Sequence, residues 1–141
     1  MVEWLKWSFS LWIIAILANL LLAITLWGVL NTSSTLAISA IFLSLTVISG
    51  LRNILEIRVD AQMLRVGRAT LDRKYIREVI ELDRTAMKRE RGVELDPAAY
   101  LAIKSWIPTG LKILLNDPKD PTPYWLISSK NYREFAQALK N

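Results

Sequence analysis

Residues 8–51 read SFSLWIIAILANLLLAITLWGVL (8–30), NTSS (31–34) and TLAISAIFLSLTVISGL (35–51), and no charged residue occurs between Lys6 and Arg52. Two apolar runs, each close to the ~20 residues a helix needs to cross a ~30 Å hydrocarbon layer, flank four polar residues. A buried helix of a water-soluble protein rarely runs so long without a charge. The stretch therefore predicts a transmembrane helical hairpin with spans at about 8–30 and 35–51. Everything after Arg52 is then expected to work at a membrane surface.

Outward from the hairpin, the flanks support the same reading. Trp4 and Trp7 bracket Lys6 just before the first span; indoles favour the headgroup level and lysine reaches water, so the three are expected to be interfacial anchors. A signal peptide would have an apolar core of about 7–15 residues and a small-residue cleavage site; the longer run and the second span argue for retention. Lys6 precedes the first span, Arg52 and Arg58 follow the second, and the 31–34 loop carries no charge. The positive-inside rule then puts both termini in the cytoplasm of a multi-pass protein. Within the spans, Ala15, Asn19 and Ala23 share a helix face, and an antiparallel pairing sets Asn19 level with Thr46, while Ala40 and Ser44 give the second span its own small face. An amide in hydrocarbon needs a partner, so Asn19 and Thr46 are expected to form a helix–helix contact rather than a transport site.

Composition limits the chemistry. Of 141 residues, 52% are hydrophobic, and the net charge is +5. Lys6 and Glu3 are the only charged side chains before Arg52, so the rest of the chain is soluble in character, mildly basic, and large enough for one small domain of about 90 residues. There is no Cys and no His. This removes thiol nucleophiles, thiolate zinc sites, the usual general base and the commonest metal ligand. No catalytic, cofactor-binding or metal-ligating set is expected.

From Ile54 the apolar period becomes two. Residues 55–59, 64–66, 69–72, 76–82, 101–103, 111–115 and 124–128 read as strands of a meandering antiparallel sheet, with Asp60-Ala61-Gln62 as a turn. Residues 85–91 read as a short helix stopped at Gly92. Arg84, Lys88, Arg89 and Arg91 make this the densest basic patch: either a contact for anionic lipid, or a solvated face balanced by Glu90 and Glu94. Trp106, in the 105–110 turn, is expected to pack on the domain. Asn116 to Pro123 holds three prolines and reads as a rigid connection rather than a cation loop around Asp117 and Asp120. A helix over about 131–140 closes the chain, with Asn131 and Glu134 at capping spacing and Tyr132, Phe135, Ala136 and Leu139 on one stripe.

About seven strands and a terminal helix is the order of a pleckstrin-homology-like (PH-like) barrel. The segments LRVGRATL (64–71), YIREVIELD (75–83), AMKRERGVELDPAAYL (86–101), SWIPTGLKI (105–113) and DPKDPTPYWLISS (117–129) resemble an actinobacterial family of two-span membrane proteins, domain of unknown function family 3093. The resemblance implies a bacterial inner (plasma) membrane protein with a PH-like cytosolic domain and no catalytic residues. The expected fold is thus an α+β membrane protein: a transmembrane hairpin (1–53), then a small antiparallel β-barrel with a C-terminal capping helix (54–141).

The expected function is a non-enzymatic adaptor or regulator whose tethered domain binds a membrane-associated protein partner. The alternative is a reader of anionic lipid headgroups, using Arg65, Arg68, Arg73, Lys74 and Arg77. Membrane lipid is the other expected partner, and a homo-oligomer is compatible with the sequence. An enzyme built on Asp72, Glu78 or Asp83 lacks a fixing spacing, and nucleic acid is not expected, because acids intersperse the basic residues and no stripe of aromatic platforms accompanies them.

Overall fold

The computed structural model describes residues 1–140 and divides into two units, Lys6–Ile54 and a second made of Met1–Leu5 with Leu55 onward. Residue 141, the last of the expected domain, lies outside the described residues.

The first unit is a helical hairpin. Helix α1 spans Phe9–Trp27 and α2 spans Thr32–Arg52, with mean hydropathies of 2.4 and 1.9. At 1.5 Å per residue they are about 29 and 32 Å long, enough to cross a bilayer. Ser8 caps α1 by accepting from the Leu11 amide, and Asn31 caps α2 by accepting from the Ser34 amide at 2.8 Å. The second cap corrects the expected boundary. With Asn31 as the N-cap, Thr32 to Ser34 become the first turn of α2 rather than loop. None of the α1 residues is buried, only Thr35 and Gly50 are buried in α2, and most of the leucine and isoleucine side chains are exposed. That is the surface expected of helices solvated by lipid.

Two contacts join the helices. Asn19 Nδ2 donates to Thr46 Oγ1 at 3.2 Å and to the Ala15 carbonyl at 2.8 Å. Nearer the hairpin's open end, the Trp12 ring lies against Gly50 and leans on Trp7, with centroids 5.3 Å apart. A Cβ at position 50 would come within 2.7 Å of the Trp12 ring, so only glycine admits the indole there.

The second unit holds two four-stranded sheets. In the first, β1 (Val2–Leu5), β2 (Leu55–Val59), β3 (Met63–Val66) and β4 (Ala69–Asp72) follow one another, all antiparallel. The second contains β5 (Ile76–Leu82), β6 (Tyr100–Ala102), β7 (Gly110–Leu115) and β8 (Tyr124–Ser128) in the order β5-β7-β8-β6. Helix α3 (Arg84–Glu90) lies between β5 and β6 in sequence, and α4 (Tyr132–Lys140) ends the chain.

Three features depart from the expectation. The sheets do not close into a barrel. After β4, Asp72 accepts a hydrogen bond from the Lys74 amide and starts a single 3-10 turn over Arg73–Tyr75, which breaks the strand before β5. The second sheet is not wholly antiparallel, because β6 runs parallel to β8. An eighth strand, β1, comes from the residues grouped with the hairpin. Its inward positions, Glu3 and Leu5, are buried while Val2 and Trp4 are exposed, the alternation of a half-buried strand.

One core fills the space between the inner faces of the sheets and α4, with Leu5, Ile57, Val66, Ile113, Ile127 and Phe135 all at 1% exposure or less. Strand β8 is buried along its whole length because both faces are covered. Trp125 and Ile127 point to the main core; Tyr124 and Leu126 point the other way, to Met87 of α3 and Leu82. Gly110 permits β7 to approach β8 there, since a Cβ would fall 2.1 Å from the Ile127 carbonyl oxygen.

Gly50→Ala is expected to displace Trp12 and alter the near-UV circular dichroism of the Trp7–Trp12 pair in detergent-solubilised protein. Gly28→Ala, where an added Cβ meets only an ordinary contact at 3.7 Å, should leave the spectrum unchanged.

Candidate functional site

Helix α3 separates its charges by face. Asp83 caps it, its carboxylate accepting from the Ala86 amide at 2.8 Å. Met87 and Glu90 turn inward. Met87 supplies packing, and Glu90 receives both of its short contacts, 2.9 and 2.8 Å, from Lys112 Nζ on β7. That ammonium also sits 4.3 Å from the centre of the Tyr124 ring, so the charge is held by a carboxylate and an aromatic face together.

Arg91 closes the helix and pins the loop between β6 and β7. Its Nη2 donates to the Ile107 carbonyl at 2.6 Å, to Ser128 Oγ at 2.8 Å and to the Lys104 carbonyl at 3.2 Å. Ser128 Oγ in turn accepts from the Lys104 amide at 2.9 Å. Burial away from water holds the Arg91 guanidinium below its ordinary pKa, and the same cause lowers Lys104.

Arg84, Lys88 and Arg91 fall at i, i+4 and i+7, so they share one face. With Ser105 and Pro108 of the pinned loop they border a surface pocket of about 370 Å³. Of the four basic residues expected to act together, three meet here. Arg89 points elsewhere, with Nε 3.9 Å from Glu94. Ser105 and Pro108 carry no sequence signal for this role, because only the fold brings their loop to α3.

The other basic set disperses. Arg73 donates to the Asp60 and Ala61 carbonyls at 3.3 Å each and to the Ala138 and Leu139 carbonyls at 2.8 and 3.1 Å. It thereby ties the β2–β3 turn to the C-terminal end of α4, where the helix dipole favours a cation. Lys74 pairs with Asp72 at 2.8 Å. Arg65, Arg68 and Arg77 are exposed. Among the interfacial candidates, Trp4 is an exposed strand residue paired across from Glu56, Lys6 is exposed, and Trp7 packs on Trp12.

Glu3 has a role that sequence reading missed. It is only 8% exposed; its carboxylate accepts from Ser129 Oγ at 2.5 Å and from the Lys130 amide at 2.9 Å, which fastens β1 to the segment leaving β8. Its donors lie 126 and 127 residues away, so no local pattern announces them.

These elements define a class: an α+β protein in which an apolar helical hairpin is inserted between two paired strands of a small two-sheet domain. The chain belongs to the family described as "Protein of unknown function (DUF3093)", which matches residues 2–139. No curated protein and no solved structure matches it.

Removing the Glu3 carboxylate leaves a buried hydroxyl and a part-buried amide without that acceptor. Glu3→Ala is expected to cost about 1–3 kcal/mol of stability. Ser129→Ala, which removes one donor and leaves the other bonded, should cost about 1 kcal/mol. Thermal unfolding of the full-length variants in one detergent checks the order.

Proposed function

We propose that this chain is a bacterial inner-membrane protein of actinobacterial type, non-enzymatic, whose PH-like domain sits on the cytoplasmic side and binds a membrane-associated protein partner as an adaptor or regulator. The observation that carries the proposal is the pairing of β1 with β2, in which Leu5 lies opposite Leu55. The chain leaves this sheet for α1 and returns to it from α2. Both ends of the hairpin must therefore lie on one side of any membrane it enters, which two crossings satisfy and one does not. Lys6, Arg52 and Arg58 at those ends favour the cytoplasmic side.

The mount is short at both points, three residues (6–8) on one side and two (53–54) on the other. A domain so held searches little volume. Its effective concentration toward other membrane-bound proteins is correspondingly high, so weak contacts suffice. The two-sheet core with a C-terminal helix supports the PH-like reading. The non-enzymatic reading draws support from two of the three acids considered above: Asp72 and Asp83 are engaged at the starts of helical turns, while Glu78 is exposed.

Because the chain has no cysteine, single cysteines report topology directly. A membrane-impermeant maleimide added outside intact cells is expected to label Ser33→Cys and to leave Asp117→Cys untouched until the cells are opened. The reverse pattern would sink the topology. For the partner, a photo-crosslinking residue at Arg65 or Trp4 in native membranes should give a discrete protein adduct; lipid adducts alone from both positions would sink the adaptor reading.

A further inference from the structure

We propose that the pocket bordered by Arg84, Lys88, Arg91, Ser105 and Pro108 is a binding site for a phosphoryl group, carried either by a membrane lipid headgroup or by a small soluble phosphate compound. The proposal is independent of the adaptor reading, since it concerns a different surface and a different class of ligand.

Charge placement comes first. Arg84 and Lys88 stand at i and i+4, an arrangement of like charges that destabilises a helix unless something neutralises it. The nearby acids do not. Asp83 caps the helix, Glu90 is bound by Lys112, and Glu94 lies beside Arg89. Arg84 and Lys88 make no hydrogen bond or ion pair among the described residues, so two cations face one opening without a counter-charge.

The third cation is positioned in advance. Arg91 is fixed by the three acceptors on Nη2, while Nη1 makes no hydrogen bond among the described residues. A guanidinium already held by one nitrogen binds an oxyanion with little loss of side-chain freedom. Ser105 adds an exposed hydroxyl at the rim, also without a partner. The pocket volume, about 370 Å³, lies at the lower end of the range for small-ligand sites.

Ligand class follows from the donor set. A phosphomonoester brings roughly 1.5–2 negative charges and three strong acceptor oxygens, which matches three cations converging from one helix face and its cap. A carboxylate offers only two oxygens and a single charge, so it would leave more of that positive charge unbalanced.

The test uses full-length protein in nanodiscs of phosphatidylcholine. In one arm, inorganic phosphate and glycerol 3-phosphate are titrated by calorimetry. In the other, phosphatidate or phosphatidylglycerol is mixed into the discs, and lipid retained by the protein is counted by native mass spectrometry. The paired variant Arg84→Gln with Lys88→Gln changes two side chains that make no hydrogen bond or ion pair among the described residues and is expected to weaken binding at least tenfold. Arg89→Gln removes the same charge from the same helix outside the pocket and should leave binding unchanged. A response in the first arm identifies a soluble ligand, and one confined to the second identifies a headgroup; either supports the site. Silence in both arms, an equal loss in Arg89→Gln, or binding of a glutamate-rich peptide without any phosphate compound would overturn it.

Discussion

The structure depends on one strand pair that closes around a membrane-sized insertion. Strand β1 finds its neighbour only after the 49 residues of the hairpin unit, Lys6–Ile54. For a flexible loop of that length the closure entropy would weigh against a four-residue strand. Antiparallel helices remove much of that cost, because a formed hairpin already returns the chain to where it left. The Asn19–Thr46 bond and the Trp12–Gly50 contact therefore stabilise more than the helices. They prepare the geometry in which Leu5 meets Leu55. Glu3 then locks the strand from the other side by engaging Ser129 and Lys130, so the first and last parts of the described chain are joined through one buried carboxylate.

The second sheet solves a different problem. A strand as apolar as β8 needs cover on both faces, and one core supplies only one. Helix α3 provides the other with Met87, and its remaining inward position, Glu90, is made tolerable by Lys112. Arg91 extends the cover by holding the 104–107 backbone. Three of the polar groups around α3 are thus explained by the need to cover β8. Arg84 and Lys88 are not. In a fold where local choices agree with the architecture, a local cost without a structural return marks a place shaped by something else.

Much of this was legible in the sequence because the signals are local. The charge-free stretch gave the hairpin, alternation gave the positions of β2 to β5, and the stripe of Tyr132, Phe135, Ala136 and Leu139 gave α4, whose last three members are buried as expected. The Asn19–Thr46 contact was readable too, since a short loop between antiparallel helices fixes which residues stand level. The features that escaped depend on long-range partners. Val2-Glu3-Trp4-Leu5 is too short to announce a strand, and its charge looked like a flank of the first span. The division into two sheets rests on one 3-10 turn at Asp72. The parallel pairing of β6 with β8 is invisible to periodicity, because a three-residue strand carries no direction. Arg73 looked like its basic neighbours, and only the carbonyls of α4 set it apart.

The same distinction explains how the net charge is expressed. Asp72, Asp83, Asp96, Asp117 and Asp120 each accept a hydrogen bond from a backbone amide two or three residues on, as side chains that start turns do. Asp72 is held below the usual carboxylate range chiefly by its bond to Lys74, and Asp120 by its bond to Thr122. Any stability they lend is complete above the unfolded carboxylate pKa and is lost only as pH falls through the lower folded value. All five acids have carboxylate oxygens turned toward the backbone. Arg65, Arg68, Arg77, Arg84 and Lys88 have no such employment and extend into solvent. An excess of +5 therefore reaches the surface as outward-facing cations, while many of the compensating charges are tied into turns. Such an arrangement favours attraction to phosphate-rich surroundings.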